Sequence, residues 1–279
     1  MKTISGIRGT IGGREDEGLT PFDIVKFATA YAFWAKEQNG NGAIVIGRDA
    51  RLSGQMVTNM VSGALMGAGL DVVDLGLSTT PTVEMAVVDM KAIGGIILTA
   101  SHNPKQWNAL KLLNQKGEFI SAADGQAILD MADDSSKFVF PEIDDIGTYS
   151  TDDNYAEKHI QHIIDLPLVD VDAIKAANFK VVVDAVNSTG GIYVPMLLKA
   201  IGVEQVIKLN CEPTGLFAHN PEPLPENLAD LSNTVNREDA HLGISVDPDV
   251  DRLALVCEDG EMFGEEYTLV AVSDYILQN

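Results

Sequence analysis

The sequence predicts an α/β protein: two repeated α/β/α domains on mostly parallel mixed sheets, plus the start of a third. Four observations carry that expectation. Short apolar runs alternate with helical segments, and one strand–loop–helix–glycine–strand plan occurs twice. A 46% hydrophobic content supports sizeable cores, and 279 residues give room for two domains at typical sizes of ~100–200 residues each.

The first copy opens with Ala43-Ile44-Val45-Ile46-Gly47, an apolar run of strand length. A polar turn and a helical segment follow, Gly67-Ala68-Gly69 stops the helix, and Leu70 to Leu75 reads as the next strand. Gly94 to Leu98 is a further buried strand. The acidic, loop-prone stretch from Asp133 to Asp153 then marks a boundary near residue 150. A surface loop inside one domain is the competing reading, and the repeat on either side favours the boundary. The second copy runs from Lys180 to Ala185, through a Gly/Ser turn and a helical segment, to the strand Ile201 to Ile207. Another strand-like run, Leu253 to Cys257, precedes a turn at Asp259-Gly260 and a helix-like segment from Glu265 to Leu277. The expected domains are therefore 1–150, 151–256 and 257–279, the last the beginning of a truncated unit.

Charge narrows the function. Nineteen Lys+Arg against 41 Asp+Glu give a net charge of −22, which excludes a global basic surface for nucleic acid or anionic membrane. Cys211 and Cys257 fit neither a metal spacing nor a disulfide framework, so a reducing compartment is expected. Residues Met1 to Gly6 contain no apolar signal core, and the longest uncharged stretch, Leu52 to Leu70, is too polar to span a bilayer. These features read as a soluble, cytoplasmic protein. Nothing in the sequence assigns an oligomeric state.

Three segments carry chemistry. Arg8, Arg48, Arg51 and Arg252 sit in glycine- or aspartate-rich turns. Guanidinium groups in such turns suit bidentate phosphate binding, and structural pairing with Asp49 is the alternative for Arg48 or Arg51. In Thr99-Ala100-Ser101-His102-Asn103-Pro104 an apolar strand ends in a polar loop. That loop places Ser101 where open α/β sheets handle ligands. His102, Lys105 and Lys111 offer proton-transfer groups and positive charge nearby; a loop serine bonded to its own backbone is the plainer reading. In Asp247-Pro248-Asp249-Val250-Asp251-Arg252 three carboxylates alternate along the chain and repel one another unless a cation binds. An all-oxygen set favours Mg²⁺. An EF-hand would want Gly where Arg252 stands, and Leu253 to Val256 looks like a strand. A haloacid-dehalogenase-like phosphatase using Asp247 as nucleophile is the rival enzyme class, but it leaves Ser101 and the arginine turns without a role.

Together these motifs resemble the α-D-phosphohexomutase family, the phosphoglucomutases, phosphomannomutases and phosphoglucosamine mutases. Gly6-Ile7-Arg8-Gly9, Gly47-Arg48-Asp49-Ala50-Arg51, Thr99 to Pro104, the His219-Asn220-Pro221-Glu222-Pro223 and Glu226-Asn227-Leu228 pair, and Asp247 to Arg252 match five family motifs. The resemblance implies that Ser101 is a phosphoserine that donates and reaccepts the phosphoryl group. Asp247, Asp249 and Asp251, with a phosphate oxygen on Ser101, would hold Mg²⁺. Lys111 matches the family's general acid/base, and Arg8, His102 and Arg252 match other active-site positions. Arg8, Arg48, Arg51, Asn103, Asn108 and Lys111 would bind substrate or phosphate. The implied substrates are sugar phosphates, with a hexose 1,6-bisphosphate as intermediate and activator. Two departures stand out: Ala109 where the family's N-G-x-K has Gly, and Pro248 where the metal loop commonly has Gly. Family members have four domains, more than 279 residues hold at ~100 residues or more each. The chain is therefore expected to be an incomplete, inactive fragment.

Overall fold

The computed structural model describes residues 2–3, 6–15 and 17–279; Ser5, which precedes the first arginine motif, lies outside the described residues. The chain forms two compact units, 1–100 with 105–155, and 101–104 with 156–279.

The first unit carries β1 (Lys2–Thr3), β2 (Gly6–Thr10), α1 (Pro21–Asn39), β3 (Ala43–Arg48), α2 (Gly54–Gly67), β4 (Asp71–Leu77), α3 (Thr80–Asp89), β5 (Gly94–Leu98), β6 (Trp107–Leu113), α4 (Ala122–Asp133) and β7 (Tyr149–Thr151). Its seven-stranded sheet runs β1-β2-β6-β5-β3-β4-β7. Pairings from β5 to β7 are parallel, and those among β1, β2, β6 and β5 are antiparallel. Strand residues alternate between two cores. Ile44, Ile46, Ile96, Leu98, Leu110 and Leu112 pack under α1, α2 and α4. Val45, Ile97 and Leu113 pack with Val83, Ala86 and Val87 of α3 on the opposite face. Because both faces are covered, the strands read as unbroken apolar runs. The acidic stretch expected as a loop contains β7, which pairs with β4. Thr148 N–H and Oγ1 donate to Asp71 Oδ1 at 2.8 and 2.6 Å and pin the approach to β7.

The second unit is built from α5 (Tyr155–Ile164), α6 (Val171–Ala177), β8 (Lys180–Asp184), α7 (Gly190–Ala200), β9 (Gln205–Leu209), α8 (Ala229–Arg237), β10 (Leu242–Val246), β11 (Leu253–Cys257) and α9 (Glu265–Gln278). Its sheet order is β11-β10-β8-β9, with β11 antiparallel and the rest parallel. Alternation recurs: Val181 and Val183 pack with Val194 and Leu198 of α7, whereas Val182 packs with Leu231 and Val235 of α8. The repeated plan is thus β3-α2-β4 and β8-α7-β9, each joining parallel neighbours. Helix α7 starts on glycine for a steric reason: a Cβ at Gly191 would lie 2.2 Å from the Cys211 carbonyl oxygen. On α9, Tyr267, Leu269, Val270, Val272, Ile276 and Leu277 are exposed. Among the described residues, no helix is long and apolar enough to cross a membrane.

Candidate functional site

Strand β5 delivers the serine loop. Thr99 N–H still donates to the Ala109 carbonyl at 3.2 Å, and Thr99 Oγ1 donates to Asp49 Oδ2 at 2.7 Å. Two residues later Ser101 adopts φ +50°, a left-handed conformation that non-glycine residues enter where the surroundings impose it. The turn buries Ser101, and within the second unit its Oγ donates to Asp247 Oδ2 at 2.8 Å. His102 Nδ1 lies 3.2 Å from the same oxygen. With its one proton given to Asp247, Oγ receives a hydrogen bond from a His102 Nδ1–H. Asn103 is half-buried in this loop.

Asp247 follows directly on β10. Asp247 and Asp249 are fully buried and Asp251 is exposed, yet a carboxylate oxygen from each lies within 4.8 Å of the others. The backbone is wound to hold them. Asp251 N–H and Arg252 N–H both donate to Asp247 Oδ1 at 3.1 Å. Val250 sits at φ +63°, unusual for a β-branched residue, and its N–H donates to the Asp247 carbonyl at 3.1 Å. Ser188 Oγ and Thr189 Oγ1, at the start of α7, donate to the Pro248 carbonyl at 2.7 and 2.8 Å. Proline's fixed φ is accommodated at Pro248, and its carbonyl anchors the loop. Leu253 to Cys257 forms strand β11, which does not suit a calcium-loop reading.

Burial, then repulsion from Asp249 and Asp251, pushes the Asp247 pKa up to about 8, although the Ser101 hydrogen bond opposes the shift. A mutually repelling, all-oxygen set with two of its three carboxylates buried is what a hard divalent cation relieves, so the residues fit Mg²⁺. The pH consequence has a definite sign. Between the ~3.9 of a free carboxyl and about 8, the folded chain holds a proton that the unfolded chain has released. Without a divalent cation, stability therefore falls as pH rises through that window. Mg²⁺ favours the ionised form, so thermal melts should show a larger Mg²⁺-induced rise in Tm at pH 8 than at pH 5. Equal or larger stabilisation at pH 5 would contradict the assignment.

The first unit holds the other candidates. Arg8 lies opposite Ala109 and Gly6 opposite Lys111 in the β2–β6 pair. Arg8 and Lys111 are therefore diagonal neighbours on one sheet face. Lys111 Nζ also lies 5.7 Å from the centre of the Phe119 ring. Gly6 makes that register possible: it adopts φ +151°, and a Cβ there would lie 2.2 Å from the Leu110 carbonyl oxygen. Gly6→Ala should displace β2 and destabilise the unit by roughly 2 kcal/mol or more, read by urea denaturation. An unchanged midpoint would refute this steric account. Arg48 is half-buried, donating from Nη2 to Gln55 Oε1 at 3.2 Å.

Two of the expected phosphate-binding residues lie buried in the first unit. Arg51 is fully buried: its Nε donates to Asp49 Oδ2 at 2.9 Å and its Nη1 to the Trp107 carbonyl at 3.1 Å. Its guanidinium braces the β3–α2 turn, where a buried Asp49 demands a cation. Asn108 is likewise fully buried, donating from Nδ2 to Ser53 Oγ at 2.9 Å and accepting from Ala109 N–H at 2.8 Å. It ties β6 to the start of α2.

Several bracing residues were not singled out from the sequence. Ser188 and Thr189 are one group; their Gly/Ser turn leaves the carboxyl end of β8, beside the end of the parallel β10. Asp184, at the end of β8, is another. His219 Nε2 lies 3.2 Å from both its carboxylate oxygens, and His219 Nδ1 lies 2.8 Å from the Asn220 carbonyl. Burial opposes charging of that imidazole, but the bonds to Asp184 and Asn220 outweigh it and raise the His219 pKa. Farther along, Arg252 Nη1 donates to Glu222 Oε1 at 3.0 Å. A cavity of about 240 Å³ adjoins this pair, lined by Pro223, Leu224, Pro225 and Leu253 among others.

Comparison with known proteins decides the family. Residues 2–138 match phosphoglucomutase/phosphomannomutase, alpha/beta/alpha domain I, and residues 157–260 match domain II of the same family. The chain belongs to the phosphoglucomutase/phosphomannomutase family. Similar proteins include a "Probable phosphoglucosamine mutase" of Methanopyrus kandleri, 35% identical over 98% of this chain and 57% of that protein. A "Phosphoglucomutase/phosphomannomutase" of Thermococcus kodakarensis is 34% identical over 97% of this chain and 59% of that protein. The crystal structure of a phosphoglucomutase/phosphomannomutase family protein from Burkholderia thailandensis superposes with a TM-score of 0.84 at 28% identity, covering 100% of this chain and 60% of that one. The chain thus spans under two thirds of the length of the family members it matches. The repeated α/β/α fold and the family expected from the motifs both hold.

Proposed function

We propose that the full-length protein is a phosphohexomutase. It moves a phosphoryl group between the 1- and 6-positions of a glucose, mannose or glucosamine phosphate, through phosphoserine at Ser101 and a hexose 1,6-bisphosphate. The observation that carries this reading is the 2.8 Å hydrogen bond from Ser101 Oγ to Asp247, which joins a strained serine to a buried carboxylate cluster. Asp247, Asp249 and Asp251 hold Mg²⁺ in this reading. Bound Mg²⁺ supplies positive charge against the charge on the transferring phosphoryl oxygens. The phosphoserine gives its phosphoryl group to a sugar hydroxyl as the Oγ–P bond breaks, and Lys111 takes the hydroxyl proton. In the return step Oγ attacks the sugar's other phosphate, the sugar O–P bond breaks, and the proton returns to the leaving oxygen. Arg8, Arg48, Arg252, His102 and Asn103 bind phosphate and orient the reacting groups.

Residues 1–150 serve as domain I with the phosphoserine loop and 151–256 as domain II with the metal loop. Residues 257–279 open a third domain, a reading supported by the exposed apolar side chains of α9. The protein acts on small sugar phosphates in the cytoplasm. The 279-residue chain alone is inactive in this reading, because it spans 57–60% of the length of the family members it matches.

The test supplies each hexose 1-phosphate with Mg²⁺ and catalytic hexose 1,6-bisphosphate. Full-length protein should yield the 6-phosphate and this chain none. Release of inorganic phosphate without isomerisation, surviving Ser101→Ala but lost in Asp247→Asn, would favour the phosphatase alternative instead.

A further inference from the structure

The segment from His219 to Leu228 was recognised as a motif, yet the reaction above gives it no task. Its construction is that of a rigid arm. His219 anchors one end on Asp184. Glu222 lies between Pro221 and Pro223, so both flanking φ angles are fixed and Glu222 itself is restricted to extended backbone. Glu222 N–H donates to Asn220 Oδ1 at 3.2 Å, and Asn227 Nδ2 donates to the Glu222 carbonyl at 2.8 Å. Asparagines on both sides thus hold one residue, and that residue's carboxylate holds Arg252 Nη1 at 3.0 Å.

Arg252 immediately follows the three aspartates, and its own N–H already donates to Asp247. A guanidinium released from Glu222 sits on the residue next to Asp251 and three past Asp249 in the chain, and pairing with either would oppose a cation at the same carboxylates. Among the described residues its side-chain ion pair is instead with Glu222. We infer that Glu222 is a positioning residue that draws the Arg252 guanidinium away from the aspartate cluster, leaving the carboxylates to the metal and the arginine to phosphate. The inference rests on the Mg²⁺ reading of the cluster.

Mg²⁺ titration calorimetry on the 279-residue chain tests it without requiring turnover. Glu222→Gln keeps the side chain's shape but removes its charge, and should weaken Mg²⁺ binding roughly three- to tenfold as Arg252 swings onto the aspartates. Arg252→Ala should then restore most of that affinity, a gain several-fold larger in the Glu222→Gln background than in the wild-type background. Glu222→Asp, which keeps the charge on a shorter stem, should fall between wild type and Glu222→Gln. Simple additivity of the two substitutions would overturn the inference, because a merely structural or long-range electrostatic role produces no such coupling. Loss of affinity that Arg252→Ala does not relieve, with far-UV circular dichroism unchanged, would overturn it too. Failure of the wild-type chain to bind Mg²⁺ at all would overturn the metal reading itself and, with it, this inference.

Discussion

Ser101→Ala in the full-length protein should lower hexose 1-phosphate turnover by roughly 10⁴-fold or more, the scale on which loss of a covalent nucleophile acts. The substitution frees Asp247 Oδ2, while Oδ1 keeps its two backbone N–H donors, and His102 Nδ1 loses the hydroxyl it faces. The substitution deletes one oxygen from a buried position and leaves the left-handed backbone at 101 with a residue that has the same Cβ. The fold should therefore survive, so circular dichroism and Mg²⁺ binding separate a chemical loss from a structural one. Retention of more than about a tenth of wild-type turnover would be incompatible with a phosphoserine relay.

Arg51→Ala should have the largest effect on stability, about 3–5 kcal/mol, because it strands a fully buried Asp49 carboxylate. Thr99 Oγ1 also leans on that carboxylate, so the end of β5 should loosen with it. Arg51→Lys should recover only part of the loss, since an ammonium cannot reproduce both the Nε bond to Asp49 and the Nη1 bond to Trp107. Urea denaturation of the chain reads the effect directly. A variant with normal stability but weakened phosphate binding would restore Arg51 to the ligand role expected from its motif.

That contrast shows where the sequence was legible. The two βαβ copies were readable because strands covered on both faces become apolar runs, as in Ile44 to Ile46 and Val181 to Val183. The carboxylate cluster was readable because three acids two residues apart have few uses besides a cation. Arg48 and Arg51 were not separable by sequence. Both lie in one arginine turn, and only folding decides that Arg51 goes inward to Asp49 while Arg48 remains half-exposed. Helix α1 was missed because it is buried on most sides, with Ile24, Phe27, Thr29, Ala30 and Ala32 all covered, so it lacks a one-sided apolar stripe. Strand β6 was hidden for a different reason: Trp107 to Leu113 follows a polar loop and carries Asn108 and Lys111, which broke the apolar run. Glu222's grip on Arg252 joins residues 30 apart in sequence, beyond any local pattern.

The central claim is that the phosphoryl group rides on Ser101. Its most direct test is to incubate full-length protein with Mg²⁺ and a hexose 1,6-bisphosphate, quench, and locate the phosphate by peptide fragmentation before and after hydroxylamine treatment. The prediction is a phosphate on Ser101 that survives both acid and hydroxylamine. A hydroxylamine-labile acyl phosphate on Asp247, with Ser101 unmodified, would contradict it.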